Sequence, residues 1–145
     1  MTGECAMSVQ SNEVALRKAI DAWNTGDLAR YLDLYDEGIQ LHGYSPKPMN
    51  KASVHKFYEE SWEAYANQQL SIDEVFGQND RLCVRFTNTG SHVGQLLGVP
   101  PTGREITMEG MTVMHFRDGK CIERWSVVDI ISPLAQMGAL PWASQ

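Results

Sequence analysis

The stretch that decides the fold runs from Thr87 to Asp129. It opens Thr87-Asn88-Thr89-Gly90-Ser91-His92-Val93-Gly94, continues through an apolar run from Ile106 to Phe116, turns at Asp118-Gly119-Lys120, and returns as Ile122 to Asp129. Asp-Gly between two runs rich in Val, Ile, Thr, Met and Phe is a hairpin signal, because both turn residues tolerate positive φ. A strand period of two then puts Trp125, Val127 and Asp129 on one face. An acid sharing a face with a Trp and a Val is either a mouth residue touching water or a functional group. The second reading is carried forward here as an expectation.

Working outward, the period of two begins at Leu70. Candidate strands are 70–76, 81–92, 105–117 and 121–129, with Gln78-Asn79-Asp80 as the first turn. The strands at Arg81 and Glu105 exceed the usual length, which predicts bends or bulges. Before Leu70 the period is helical. Ser11 or Asn12 is placed to cap a helix over 13–25 with Leu16, Ile20 and Trp23 on one stripe. Gly26 suits the left-handed position after it, and Asp27 caps a second helix over 28–35. Residues 39–43 read as a short strand with Gln40 and His42 on one face. Pro46 and Pro48 then break regular structure, and Asn50 caps a third helix over 51–66 whose inward face carries Val54, Phe57, Tyr58, Ser61, Trp62 and Tyr65. A last short helical piece, 131–137, is stopped by Gly138 and Pro141. Residues 1–10 read as a loose leader.

Helices gathered on one face of an antiparallel sheet make an α+β layer structure, read here as one domain over residues 1–145. Leu16, Ile20, Trp23, Phe57 and Trp62 are expected in its core. A sheet that curls over the helices leaves a cavity between the layers. Apolar residues occur on both strand parities, Ile106, Met108, Met114 and Phe116 on one, Met111 and Val113 on the other. One sheet face is therefore expected to be buried in a homodimer or larger assembly.

The 145 residues carry 12 basic and 18 acidic side chains, a formal net charge of -6. With no cluster of Lys and Arg, this balance argues against a nucleic-acid partner. The first residues have neither a basic start nor a long apolar run, so no signal peptide, no membrane span and a cytoplasmic location are expected. Cys5, Cys83 and Cys121 show no CxxC spacing, and none of the four His stands in an HxH or HExxH pattern. No metal is expected. No Ser-centred elbow or phosphate-cradling glycine loop occurs.

Several short motifs occur in a telling order. Trp23-Asn24-Thr25-Gly26-Asp27 resembles the opening of the nuclear-transport-factor-two-like cone fold. Thr89-Gly90-Ser91-His92-Val93-Gly94, Pro100-Pro101-Thr102-Gly103, Asp118-Gly119-Lys120 through Glu123-Arg124-Trp125, then Asp129 and Gln136-Met137-Gly138, resemble the SnoaL-like polyketide cyclases, also called predicted ester cyclases. Ser91 stands where that family has Thr, Met137 where it has Leu, and Asn67-Gln68-Gln69-Leu70 where it has Pro-Asp-Leu. The resemblance implies a cone-shaped α+β barrel, with N-terminal helices on the concave face of a curved, mainly antiparallel sheet. It further implies an acid/base enzyme without metal or organic cofactor, closing a ring of a polyketide ester by intramolecular aldol condensation. Carried over by motif, Asp129 is the catalytic acid/base, and His92, Trp125 and His42 line the pocket.

Each of these residues has a plainer reading. An Asp ending a strand is an ordinary turn or cap residue, and catalysis requires burial to raise its pKa. His92 between Gly90 and Gly94 is either catalytic or a satisfied residue on a barrel rim. Trp125 suits core and pocket alike. Phe57 and Trp62 on the third helix and Met108 on the sheet are expected to contact a small apolar carbonyl ligand. Two classes of function stay open: an enzyme (cyclase, isomerase, dehydratase or epoxide hydrolase) and a ligand-binding or dimerising module. Arg85 and Arg124 fall on the strand parity opposite the expected pocket, which counts against the Arg-carboxylate array of an epoxide hydrolase.

Overall fold

The computed structural model describes residues 2–140, with side chains from Val9 onward. The elements are α1 Thr2–Asn24, α2 Leu28–Leu32, β1 Tyr35–His42, α3 Lys51–Ala64, β2 Tyr65–Gln78, β3 Arg81–His92, β4 Glu105–Arg117, β5 Lys120–Val128 and α4 Ile131–Gln136. Five strands form one sheet in the order β1-β5-β4-β3-β2. β1 runs parallel to β5, and the other neighbours are antiparallel. The sheet has two edges, so the cone is an open one. α1 packs along β2 and β3, and α3 along β1 and β2. The main core joins Leu16, Ile20, Trp23, Leu28, Tyr31 and Leu32 to Ile39, Leu41, Val54, Tyr58, Leu82, Val84, Met114 and Phe116.

Local chemistry explains most boundaries. The Asp27 side chain accepts from the Arg30 backbone N–H, and the side chains of Asn50 and Ser53 form a reciprocal capping box at the start of α3. Asp118 and Gly119 take φ values of 53° and 79°, the doubly positive turn that the hairpin needs. The expected leader is corrected: α1 already runs from Thr2, Val9 packs against the core, and Asn12 is buried inside the helix without capping it. Packing of Val9 and Asn12 carries the helix past the cap signal at Ser11-Asn12. Phe57 is also corrected. It is 37% exposed and not a core residue, while Trp62 is half-buried against the core. Pro141 lies outside the described residues.

The expected bends fall in neighbouring strands. β3 and β4 pair without interruption from Arg81↔His115 to Ser91↔Glu105. Irregularities lie in β2, between Ala66 and Gln69 and between Ile72 and Glu74. Another lies between β4 and β5, where Phe116 pairs with Cys121 but His115 pairs with Glu123. Ile122 is therefore an extra residue on β5. One extra residue exchanges the faces of everything beyond it. Cys121, Arg124 and Ser126 point inward and are buried, whereas Trp125 and Val127 are 37% and 77% exposed on the outer face. This inverts the parity expected from the sequence.

Candidate functional site

Register and burial together map the concave face. The inward row Arg124–Met114–Leu82 is sealed, as is the row Ser126–Thr112–Val84. Beyond them, Val128, Phe86, Asn88 and Met108 are half-buried or exposed. Gly110 lies between Val128 and Phe86, and a Cβ there would stand 2.6 Å from Phe86 Cζ. The Phe86 ring thus leans over a position that only glycine leaves open. The face is packed shut at the Arg124 end and partly uncovered at the Met108 end.

Arg124 sits at the closed end. Its Nε donates to Thr112 Oγ1 at 2.8 Å and Ser126 Oγ at 3.2 Å, and its Nη1 to Tyr35 Oη at 2.7 Å and Tyr31 Oη at 3.0 Å. The hydroxyls continue outward, with Tyr35 to Tyr58 at 2.9 Å and Tyr58 to Tyr44 at 3.2 Å. Among the described residues, Arg124 forms no ion pair with a carboxylate. Removing such a charge from water costs on the order of several kcal/mol, which hydroxyl dipoles offset only in part. Burial alone would lower the Arg124 pKa, but the tyrosine oxygens outweigh it and hold the value well above the usual one. It is a permanent cation. Burial chiefly pushes the Tyr35 and Tyr58 pKa values well up, so both remain hydroxyl donors.

Tyr44 reaches this cluster through Gly43, whose φ is 94°. A Cβ on Gly43 would lie 2.0 Å from the Ser126 carbonyl oxygen, so only glycine lets the chain cross β5 this closely. Tyr44 then stands edge-on to Phe57, with ring centres 5.6 Å apart. Nearer the open end, Asn88 Nδ2 donates to Gln68 Oε1 at 2.7 Å. Among the described residues, Asn88 Oδ1, Trp62 Nε1 and, deeper in the core, Trp23 Nε1 are buried without hydrogen-bond partners. Orphaned polar atoms of this kind mark places where a water or ligand atom fits.

The residues singled out from the sequence fall in three places. Trp62, Phe57 and Met108 belong to the helical and concave sides. His42 and Trp125 lie on the outer face, their rings stacked 5.4 Å apart, with His42 Nε2 2.7 Å from Glu123 Oε2. The Ile122 bulge puts Trp125 there, and the alternation of β1, with Ile39 and Leu41 inward, puts His42 beside it. His92 is fully buried, but it anchors the following loop: Nε2–H donates to Val99 O at 3.2 Å, while Nδ1 accepts from Thr102 N–H at 3.2 Å.

The burial and raised pKa expected of Asp129 are not found. Its Oδ1 accepts from the backbone N–H groups of Ile131 and Ser132, and its Oδ2 from the Ser132 hydroxyl at 2.6 Å. The Ser132 hydroxyl first, then the backbone N–H groups, hold its carboxyl below the usual range while it stands in water. Such a carboxylate is a weak base. Two surface clefts, of about 350 Å³ near Phe76 and Arg81 and about 560 Å³ between α1 and Lys120, include none of these candidates. The sequence reading missed Arg124, Thr112, Ser126 and the four tyrosines. A signal was present in Thr112, a hydroxyl inside an apolar run.

An open cone of this topology, with helices over a half-covered concave face, belongs to the nuclear-transport-factor-two-like class. Within it the chain belongs to the SnoaL-like polyketide cyclase family, whose model matches residues 13–137. It is 30% identical over 137 residues to the aklanonic acid methyl ester cyclase AcmA of Streptomyces galilaeus, covering 88% of this chain and 90% of that one. It is 28% identical over 129 residues to the nogalonic acid methyl ester cyclase of Streptomyces nogalater, covering 85% and 93%. Among solved structures, AclR of Streptomyces galilaeus superposes with a TM-score of 0.83 at 27% identity, covering 92% of this chain and 84% of that one.

Proposed function

We propose that this chain is a cofactor-independent cyclase that closes a ring of a polyketide ester by intramolecular aldol addition. The substrate is a small apolar carbonyl compound held against the open half of the concave face. The observation that carries the reading is that half-uncovered wall of Phe86, Met108 and Val128, with Asn88 Oδ1 buried and unpartnered beside them. The chain's contribution is electrostatic. It aims fixed dipoles and a buried cation at the oxygen that turns negative, the effect that usually supplies most of such a rate enhancement. The α-proton, made acidic by the substrate's own flanking carbonyls, leaves to water at the open end. Asp129 is assigned to the α4 cap and not to proton abstraction.

A second reading, a binding module without turnover, is favoured by one observation: the inward rows from Arg124 to Asn88 carry no carboxylate and no histidine. The same experiment separates the two. Aklanonic and nogalonic acid methyl esters, the compounds for which the relatives are named, are incubated with the protein in deuterated water. A product of unchanged heavy-atom composition with a new ring, seen by chromatography and NMR, supports the cyclase. Saturable binding without that product favours the module, and neither binding nor product removes both. We further infer that the outer face, where Phe76, Met111, Val113, Trp125 and Val127 are exposed, is covered by a second copy of this chain.

A further inference from the structure

We propose that Tyr44 is the group through which the buried Arg124 charge reaches a bound molecule, its hydroxyl donating to the ligand oxygen that carries or gains negative charge. The substrate assigned to that oxygen rests on the cyclase reading above.

The hydroxyl protons of the cluster fix its direction. Arg124 Nη1 gives its protons to Tyr31 and Tyr35. Tyr31 is 3.3 Å from Tyr35, Tyr35 is 2.9 Å from Tyr58, and Tyr58 is 3.2 Å from Tyr44. Each hydroxyl has one proton to give. With the cation at one end, the chain is oriented Tyr31 to Tyr35 to Tyr58 to Tyr44, every dipole pointing away from the guanidinium. The reverse orientation would leave a proton without an acceptor on Tyr31, 3% exposed, against the positive charge. Tyr44 accepts from Tyr58, and Ser126 Oγ donates toward it at 3.4 Å. Its own proton therefore has no acceptor among the described residues.

Position agrees with that direction. Tyr44 is the half-buried member of the set, beside the exposed Phe57, whereas Tyr31, Tyr35 and Tyr58 are buried. The Arg124 guanidinium carbon also lies 5.9 Å from the centre of the Tyr44 ring. Hydrogen bonds in a polarised chain reinforce one another, and they do so most where water is excluded. The relay is a wire from a buried charge to an open surface.

In the aldol step, the α-carbon loses its proton to water and its electron pair forms the new C–C bond to the carbonyl carbon. The C=O π pair moves to oxygen, which takes the Tyr44 proton and becomes the hydroxyl of the ring. The Tyr44 oxygen, held by Tyr58, then regains a proton from water. No proton is consumed overall, and no oxidant or reductant enters. Tyr44 touches the reacting oxygen; Arg124 is a positioning residue that acts through it.

The test uses a graded series of substituted 2-naphthols with the intact protein, read by the absorption band of the naphtholate. Wild type is expected to bind them in the ionised form at a pH where they are neutral in water. Tyr44→Phe is expected to weaken naphtholate binding about 10- to 100-fold, the loss of one charge-assisted hydrogen bond. It should leave binding of the matching methyl ether unchanged. Arg124→Met should abolish the preference for the ionised form, and Arg124→Lys should restore part of it, with folding of each variant checked by circular dichroism. Naphthols that bind neutral, equal naphtholate binding by Tyr44→Phe, or no binding by wild type overturn the proposal. A wild type that ionises naphthols yet cyclises neither ester loses the cyclase reading and keeps this site.

Discussion

Gly43→Ala tests how the chain brings Tyr44 over β5. Two costs add. Alanine at a φ of 94° meets the left-handed penalty of roughly 1–2 kcal/mol. Its Cβ would also begin 2.0 Å from the Ser126 carbonyl oxygen, a backbone atom fixed in the sheet, so the loop must lift. Overpacking of this kind costs about 1–3 kcal/mol. The sum is roughly 2–5 kcal/mol. Gly98→Ala is the control, because Gly98 has a φ of 79° but no atom within 4 Å of the added Cβ. It should lose only the backbone part, roughly 1–2 kcal/mol. Urea unfolding followed by circular dichroism, with equal slopes for all three proteins, gives both differences. If the two variants lose the same stability, the close crossing is not what positions Tyr44. A folded Gly43→Ala should also bind naphtholate no better than Tyr44→Phe.

Three further outcomes are expected. Asp129→Ala should lower stability at neutral pH, and the deficit should shrink in acid. The folded pKa of Asp129 is depressed, so its contribution is present above the ordinary carboxylate pKa of about 3.9 and fades as pH falls through the folded value. Unfolding curves at pH 7 and pH 2.5 check this, and an undiminished deficit in acid would contradict the cap assignment. His92→Ala should cost about 2–4 kcal/mol, by cavity and orphaned partners, and hydrogen exchange should accelerate in the loop from Val93 to Arg104. Unchanged exchange there would mean that the loop does not depend on His92. Val127→Lys should convert a light-scattering mass of two or more chains to one, and a wild-type monomer removes the proposed assembly.

The fold was largely legible because its signals are local. Strand periodicity marked 81–92 and 105–117, the bounds found for β3 and β4, and Asp118-Gly119 marked the hairpin. Asp27 and Asn50 were read as caps and serve as caps. The site was less legible for a specific reason. From Ile122 onward the face of every β5 residue depends on a single bulge, and nothing within Cys121-Ile122-Glu123 announces one. With the faces exchanged, Trp125 was read inward and Arg124 outward. The tyrosine cluster was hidden differently. Tyr31 and Tyr35 lie close in sequence, but Tyr44 follows β1 and Tyr58 lies in α3, so only the folded chain shows that the four are linked to one cation. Asp129 taught the opposite lesson, since the plain reading of an Asp after a strand was the one that the structure shows.

The two margins of the sheet bear on the proposed assembly of this chain. On β1, Leu41 exchanges both backbone hydrogen bonds with Met49, so the chain folds back over its own border just after Pro46 and Pro48. On β2, the two register breaks and Asn67, with a φ of 55°, interrupt any straight row of free donors and acceptors. Neither border offers a neighbour a continuous line to pair with. The proposed association is thereby steered away from edge-to-edge growth, which propagates without limit, toward face-to-face contact of the two outer surfaces, which stops when two are joined. The molecule can tolerate a greasy exterior without becoming a fibre.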